Sequence, residues 1–488
     1  MSNTSYSHTG LLIQGEDKVA AGGAVFERCN PVSGEVVTLA AAAGLQDVAE
    51  AADAAGEAWR GWASTPPNSR RTILLKAADL LEAKRDAFIA AMRRETGATA
   101  PWAGFNVMLG ANMLREAAAM TTQIGGETLP SGKPDTLSMS VRQPVGVVLG
   151  IAPWNAPVIL GVRAVAIPLA CGNAVILKSS EICPETHRLI GQVLHEAGVP
   201  AGVIGVISNA PQDAGAIVNA LIAHRAIRRI NFTGSTRVGR LVAEAAAREL
   251  KPVLLELGGK APLVILDDAD LEGAVNAAAF GAFLNQGQIC MSTERIIVAE
   301  SAAGRFSDML AAKAAALPVG EPDHVDTVLG PMVDPGAVER IMDLVGDAKA
   351  KGAIVAAGGV GSGSFMPATV LDRVTPAMRI YAEESFGPVV CILRAKDDDD
   401  AIRLANDSEY GLSASVFSRD ISRALKVAQQ IDSGICHING PTVHDEAQAP
   451  FGGVKSSGYG RFGGKAAINE FTELRWITIE PSGQHYPF

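Results

Sequence analysis

Cys290 stands in the stretch NQGQICMST, with Gly287 and Gln288 before it and Ser292 and Thr293 after it, flanks that suit close approach of a ligand. A thiolate is a strong nucleophile, and partial exposure with a lowered pKa is what makes one reactive. Most cysteines are inert core thiols, and Cys29, Cys171, Cys183, Cys391 and Cys436 are read that way. Thirty-four positions before Cys290, Glu256 ends the apolar run PVLLEL and precedes Gly258 and Gly259. A carboxylate there can act as a general base, and an apolar strand end would raise its pKa toward neutrality; a solvated or ion-paired strand end is the alternative. Asn155, in APWNAPVILGVR, offers a side-chain amide to developing negative charge, or caps the helix that begins near Pro157.

Two further motifs suit a dinucleotide. NFTGSTRVG follows an expected strand and opens an expected helix, so Gly234 and Ser235 stand where free N–H groups and the helix dipole favour a phosphate. The spacing is not GxGxxG, and a plain tight turn explains it equally well. In LKSSE, Lys178 and Glu181 close another strand. A carboxylate there can accept both ribose hydroxyls of an adenosine and repels a 2′-phosphate, which predicts NAD over NADP; a surface ion pair is the competing reading.

These residues need a scaffold, and the chain between Val145 and Glu300 supplies its pattern. VGVVLGIAP, NAVILKS, GVIGVIS, IRRINFTG, PVLLEL and PLVILDD are short apolar runs separated by helical stretches such as 184–197 and 237–250. Continuous apolar strands alternating with helices predict an α/β fold on a parallel sheet, with ligands at the carboxyl ends of its strands. Residues 47–63 and 70–95 read as packing helices, and TLSMSVRQP alternates like an edge strand. A second α/β pattern after Gly320, with AIVAAGG, PATVLDRV, PVVCILRA and ASVFSRD as strands, implies a second domain beginning near Leu257. Asp397–Asp400 is expected to be a solvated turn rather than a metal site, and no metal site is expected.

Composition narrows the function classes. The chain has 488 residues, 48% hydrophobic and 19% charged, enough for more than one core and too apolar for disorder. Lys plus Arg number 42 against 52 Asp plus Glu, a net charge of −10 that disfavours nucleic acid as a partner. No window of about 18 apolar residues is unbroken, so no membrane span is expected. The first residues lack a basic segment followed by an apolar one, which makes a cytoplasmic location the expectation. The six scattered cysteines, without a CxxC pair, are expected to be free thiols.

PWNAP, LKSSE, FTGS, LELGGK, NQGQICMST, EESFGPVV and PFGGVKSSGYGR occur in the order and spacing of the NAD(P)-dependent aldehyde dehydrogenases, and the chain resembles that family from about Asn30 to about Trp476. The resemblance implies a Rossmann-type cofactor domain (1–125 and 146–256), an α/β catalytic domain (257–467) and a small oligomerisation arm (126–145 and 468–488), assembled as a homodimer or homotetramer. It implies Cys290 as nucleophile, Glu256 as general base and Asn155 as oxyanion donor with the Cys290 N–H. For the cofactor NAD it implies Lys178 and Glu181 at the adenosine ribose, Gly234 and Ser235 at the pyrophosphate, Glu384 and Phe386 at the nicotinamide riboside, and Pro153 and Trp154 along the channel. The reaction implied is oxidation of an aldehyde through a thiohemiacetal and a thioester. A thiol esterase, a silent NAD-binding protein and an enzyme passing the acyl group to coenzyme A are the alternatives; retention of Glu256 favours water as acceptor.

Within the family, PWNAPVILGVRAVAIPLACGN and the segment from Gly434 to Ala466 look most like members that oxidise small aromatic aldehydes of the vanillin type, with salicylaldehyde and benzaldehyde next. Asn155, Ile159 and Arg163 recur at four-residue steps, drifting about 40° per step around a helix, so Arg163 is expected to look into the Asn155 cavity and meet a phenolic ring. Trp102, Phe105, Leu109 and Met113 share a helical face that walls an aromatic pocket or forms a core stripe. Ala156 and Ile289 stand where relatives often carry bulkier aromatic residues, leaving room near Cys290. His444 and Asp445 fall on a loop the family places at the substrate mouth.

Overall fold

The computed structural model describes residues 6–482 and 486–488. The first five residues of the expected cofactor domain and residues 483–485 of the expected arm lie outside the described residues. Two large sheets organise the described chain.

The first sheet has the order Gly458–Tyr459, Val253–Glu256, Ile227–Thr233, Val147–Ile151, Ala174–Lys178, Ile204–Ile207, Leu11–Ile13, Glu16–Lys18. The five strands from Val253–Glu256 to Ile204–Ile207 in this order are parallel, and Val147–Ile151, Ala174–Lys178 and Ile204–Ile207 are buried throughout, because helices cover both faces. Their register aligns Ile151 with Lys178, Phe232 with Ile151 and Thr233 with Glu256. The segments carrying Asn155, Glu181, Ser235 and Gly258 therefore leave the sheet along one edge.

Helix Pro157–Ala170 runs from that edge. Proline occupies its first position, where the missing N–H costs nothing, and all of its residues are buried. A helix apolar on every side belongs inside, and this one packs against Ala100–Met120, which in turn packs on Pro67–Ala83. Each fully buried Val, Leu or Ile contributes roughly 1.5–3 kcal/mol.

The second sheet has the order Ile354–Ala357, Thr369–Asp372, Val389–Ala395, Thr293–Ala299, Ala261–Ile265, Ser413–Phe417, Ile435–Ile438. Ala261 pairs with Thr293 at its amino edge. Only Leu257–Lys260 separates Glu256 from this sheet, and only Met291 and Ser292 separate Cys290 from it. The carboxyl edge of one sheet thus faces the amino edge of the other, with the carboxylate on one side and the thiol on the other. Strand Gly458–Tyr459, inside the range expected for the catalytic domain, crosses back to the first sheet and pairs Gly458 with Glu256. A third sheet joins Thr472–Ile479, Leu137–Pro144 and Glu127–Leu129, and Ser7–Thr9, Val36–Ala41 and Val25–Cys29 form a fourth.

Several expectations need correction. The single helix over 70–95 is two, Pro67–Ala83 and Arg85–Thr96, broken at Lys84, whose ψ of 17° leaves the helical region. Tertiary packing overrides propensity there: the turn lets Phe88 and Met92 enter the core and brings Glu95 against the start of helix Pro184–Ala197. Asp397–Asp400 is a helix start, with Asp397 accepting the Asp400 N–H at 2.8 Å and the next three aspartates in the first turn, where the helix dipole favours them. Cys29 and Cys436 are half-buried, not core thiols, and all six cysteines are unpaired.

Candidate active site

The loop that carries Cys290 is held in an unusual backbone conformation. Asn285, Gln286 and Gly287 all have positive φ (50°, 56° and 70°), a strain that persists only where surroundings enforce it. The amide side chains of NQGQ supply that enforcement. Asn285 Nδ2 donates to the Asn155 carbonyl (3.1 Å), Gln286 Nε2 to Pro331 O (2.9 Å), and Gln288 Oε1 accepts the Val333 N–H (3.0 Å). Asn155 is not a helix cap, since Ala156 holds that position. Its Nδ2 donates to Gln288 O (2.9 Å), which sets one amide hydrogen and leaves the second free. Trp102 Nε1 donates to the Asn155 carbonyl (3.1 Å), so both loops are anchored before any ligand arrives. Among the described residues the Cys290 amide N–H has no acceptor.

A cavity of about 290 Å³ joins these groups, lined by Cys290, Glu256, Asn155, Pro153, Trp154, Gly234, Ser235, Glu384 and Phe386. Thr233, Leu257 and Gly258, inside the motifs FTGS and LELGGK, line it too, as do Leu160 and Arg340, which had no local signal in the sequence. Arg340 lies on helix Pro335–Ala350 and donates to Ser385 O (2.8 Å), a tie made only by the tertiary fold. Phe386, at φ 46°, meets the Trp154 ring edge-on at 5.9 Å. Its backbone N–H and that of Ser385 donate to buried Glu294, which is ion-paired with buried Lys260. Glu384 accepts the Gly259 N–H at 2.9 Å, and burial followed by the nearby Glu294 charge raises its pKa to about 7.

Glu256 is fully buried, with the Cys290 thiol and the Thr233 hydroxyl as the donors nearest its carboxyl. Burial therefore raises its pKa to about 7, opposed by the charge of Arg163. The Cys290 thiol is half-buried but, contrary to the lowered pKa expected from sequence, is pushed up by desolvation and by the neighbouring Glu256 carboxylate. Both effects favour the protonated thiol, and Glu256 is the carboxyl group beside it.

A second cleft of about 550 Å³ continues from the first through Pro153, Trp154, Thr233, Gly234 and Ser235. Lys178 and Glu181 lie in it as an ion pair, with Asn209 Nδ2 donating to Glu181 at 3.1 Å. Val218, Leu241, Val242 and Ala245 give it an apolar wall. Ser235 caps helix Thr236–Arg248, and the helix lines the cleft from its amino end at Gly234 and Ser235 onward. An apolar slot, a carboxylate, a helix amino terminus and a second carboxylate beside Cys290 fit an extended dinucleotide.

A sequence model described as the aldehyde dehydrogenase family matches residues 19–477. The chain belongs to the aldehyde dehydrogenase family. It is 61% identical to a vanillin dehydrogenase of Pseudomonas sp. strain HR199 over 98% of this chain and 99% of that one. A crystal structure of a salicylaldehyde dehydrogenase from Pseudomonas putida G7, complexed with salicylaldehyde, superposes with a TM-score of 0.97 at 53% identity, covering 99% of this chain and 100% of that one. A betaine aldehyde dehydrogenase from Staphylococcus aureus in complex with NAD+ superposes at 0.93 with 33% identity, covering 98% and 95%.

In this aldehyde dehydrogenase the six residues expected on the substrate side do not line the Cys290 cavity. Arg163 instead forms a buried ion pair with Asp445 and lies 4.1 Å over the Phe451 ring. With Met113 they border a separate void of about 20 Å³. Asn155 precedes the helix and Ala156 is not helical, so the four-residue step holds only from Ile159 to Arg163, and the buried Asp445 carboxylate claims the guanidinium. Ile159 and Ile289 are core residues, and Trp102 is buried behind Asn155. Phe105, stacked on Trp102 at 5.7 Å, is exposed. His444 is exposed and 3.0 Å from Glu446. Among the described residues no helix is long and apolar enough to cross a membrane.

Proposed function

We propose that this enzyme oxidises small aromatic aldehydes of the vanillin type to their carboxylic acids with NAD. The observation that carries the reading is the single cavity shared by Cys290, Glu256 and Asn155, continuous with the cleft of Lys178 and Glu181. The similarity to vanillin and salicylaldehyde dehydrogenases supports the substrate class.

Glu256 takes the Cys290 proton, and the thiolate attacks the aldehyde carbon to form a thiohemiacetal whose oxyanion accepts hydrogen bonds from the Asn155 amide and the Cys290 N–H. Bound NAD would supply the hydride acceptor for that carbon. Cys290 then carries an acyl thioester; Glu256, once it has released the thiol proton to solvent, deprotonates the water that hydrolyses it, and the carboxylic acid leaves with Cys290 restored as the thiol. Lys178 and Glu181 hold the adenosine ribose, Gly234 and Ser235 the pyrophosphate, and Glu384 and Phe386 the nicotinamide end, with Pro153 and Trp154 along the channel. Arg163, Ile159, Trp102, Phe105, Ile289 and His444 shape the substrate side from behind or outside the cavity wall. The cofactor range is 1–125 with 146–256, the catalytic range 257–467, and the arm, 126–145 with 468–488, builds a cytoplasmic homodimer or homotetramer.

The test is steady-state turnover across vanillin, salicylaldehyde, benzaldehyde and hexanal with NAD and with NADP. The highest kcat/KM is expected for vanillin with NAD. Equal values for hexanal and vanillin would overturn the aromatic assignment, and a preference for NADP would overturn the reading of Glu181.

A further inference from the structure

The carboxylate assigned to the adenosine ribose has a partner outside the cleft. Asn209 lies two residues beyond strand Ile204–Ile207, whose last residue pairs with Lys178 in the first sheet. Its side chain is fully buried and does not line the cofactor cleft, whereas Lys178 and Glu181 do. Its backbone is held from both sides. The Ser179 N–H donates to Ile207 O at 2.8 Å, and the Ser208 hydroxyl donates to Ala41 O at 2.8 Å, on strand Val36–Ala41.

The amide of Asn209 has one workable orientation. Its Nδ2 donates to Glu181 Oε1 at 3.1 Å and to Ala210 O at 2.8 Å. Turning the amide over would set Oδ1 against two acceptors, so the donor must face Glu181. Oδ1 is left buried without a partner, which costs stability. An apolar residue would fill the position without that cost, so packing does not explain the amide.

Glu181 supplies the explanation. Lys178 also binds Glu181 Oε1. Both protein donors therefore converge on one oxygen, and among the described residues no donor reaches Oε2. The carboxylate is set with Oε1 occupied and Oε2 left to accept a ribose hydroxyl. The two donors differ in one respect. Lys178 lines the cleft, and its ammonium can turn toward a bound ribose on a flexible stem, while Asn209 stands behind the carboxylate and stays there.

We propose that Asn209 is a positioning residue for cofactor selectivity. It pins Glu181 so that the carboxylate cannot swing aside, keeping Oε2 on the ribose hydroxyls and a negative charge where a 2′-phosphate would have to sit. This rests on the reading of Glu181 as the adenosine-ribose acceptor. Without Asn209, Glu181 is held by Lys178 alone, and a 2′-phosphate can push the carboxylate away and take the ammonium for itself.

The test is the ratio of kcat/KM for NAD to that for NADP, with vanillin as substrate. It compares the parent with Asn209→Leu, Asn209→Ala, Glu181→Ala and the combination of Asn209→Leu with Glu181→Ala. Leucine keeps the buried volume close to that of asparagine and removes the amide. Asn209→Leu is expected to lower the ratio about tenfold, the scale of one hydrogen bond to a charged group, with the change carried by KM more than by kcat. Calorimetric titration of the same proteins with adenosine 5′-monophosphate and with its 2′-phosphorylated counterpart is expected to show the same loss of discrimination with no aldehyde present. In Glu181→Ala the ratio is expected to fall too, and adding Asn209→Leu to change it no further. A merely structural role would instead lower kcat for both cofactors alike and would persist in the Glu181→Ala background. Parental discrimination in Asn209→Leu and Asn209→Ala, beside its loss in Glu181→Ala, would overturn the proposal alone. Parental discrimination in Glu181→Ala would overturn the reading of Glu181 and the proposal with it. Should Asn209→Leu not fold, Asn209→Ala decides by the same ratio, a fall supporting the proposal and a parental value overturning it.

Discussion

Cys290→Ala is expected to abolish NADH formation, since no other cysteine lines the cavity; NADH formation at a measurable fraction of the parental rate would contradict the role. Glu256→Gln keeps the volume of the side chain and removes the base. It is expected to stall steady-state turnover by a factor of about 10² or more, within the usual contribution of a positioned base. The pH dependence follows from its environment. Burial raises the Glu256 pKa to about 7, so below that pH the carboxyl is protonated and cannot accept a proton, and turnover is expected to rise through pH 7. A rate flat between pH 5 and 8 would count against it. The amides around Cys290 were legible as a suitable approach, but their task was not. Asn285, Gln286 and Gln288 tie a strained loop to the carbonyls and N–H groups of segments distant in sequence, and no local pattern announces those partners.

The elements on either side of the site meet at glycine positions where side chains have no room. At Gly287, with φ 70°, a Cβ would stand 2.1 Å from the Gly387 carbonyl oxygen, and at Gly259 it would stand 2.3 Å from the Cys290 carbonyl oxygen. Gly287→Ala is expected to lower stability by at least about 2 kcal/mol in thermal unfolding, from left-handed strain plus the clash. Gly259→Ala is expected to displace the Cys290 backbone and lose activity out of proportion to its change in Tm; parental kcat in a folded Gly259→Ala protein would show that the close approach is unimportant. The strands of the first sheet were readable because burial on both faces leaves an unbroken apolar run, as in Ala174–Lys178. Thr293–Ala299 was not among the runs read as strands. It opens Thr-Glu-Arg, and those charges are buried only because Lys260 pairs with Glu294 while the carbonyls of Leu404, Ala405 and Asp407 surround Arg295. Distant partners make a polar sequence into a core strand. The break at Lys84 was hidden for a related reason, since neither proline nor glycine marks it.

At the scale of the molecule, the reaction depends on two sheets meeting edge to edge, with Glu256 closing one and Cys290 opening toward the other. The strand Thr472–Ile479 forms the outer edge of the third sheet and exposes Leu474 and Trp476. An exposed strand edge bearing large apolar side chains is suited to burial by another chain. With the proposed assembly, the parent is expected to sediment as a dimer or tetramer, and the variant carrying Leu474→Asp and Trp476→Asp to shift toward the monomer. A monomeric parent would contradict that assembly.

The claim that Cys290 and Glu256 act in succession on one acyl group is tested most directly by intact and peptide mass spectrometry of Glu256→Gln after incubation with NAD and vanillin. The account predicts one equivalent of NADH per active site and a vanilloyl thioester confined to the peptide containing Cys290. NADH produced without that adduct, or an adduct on any other cysteine, would contradict it.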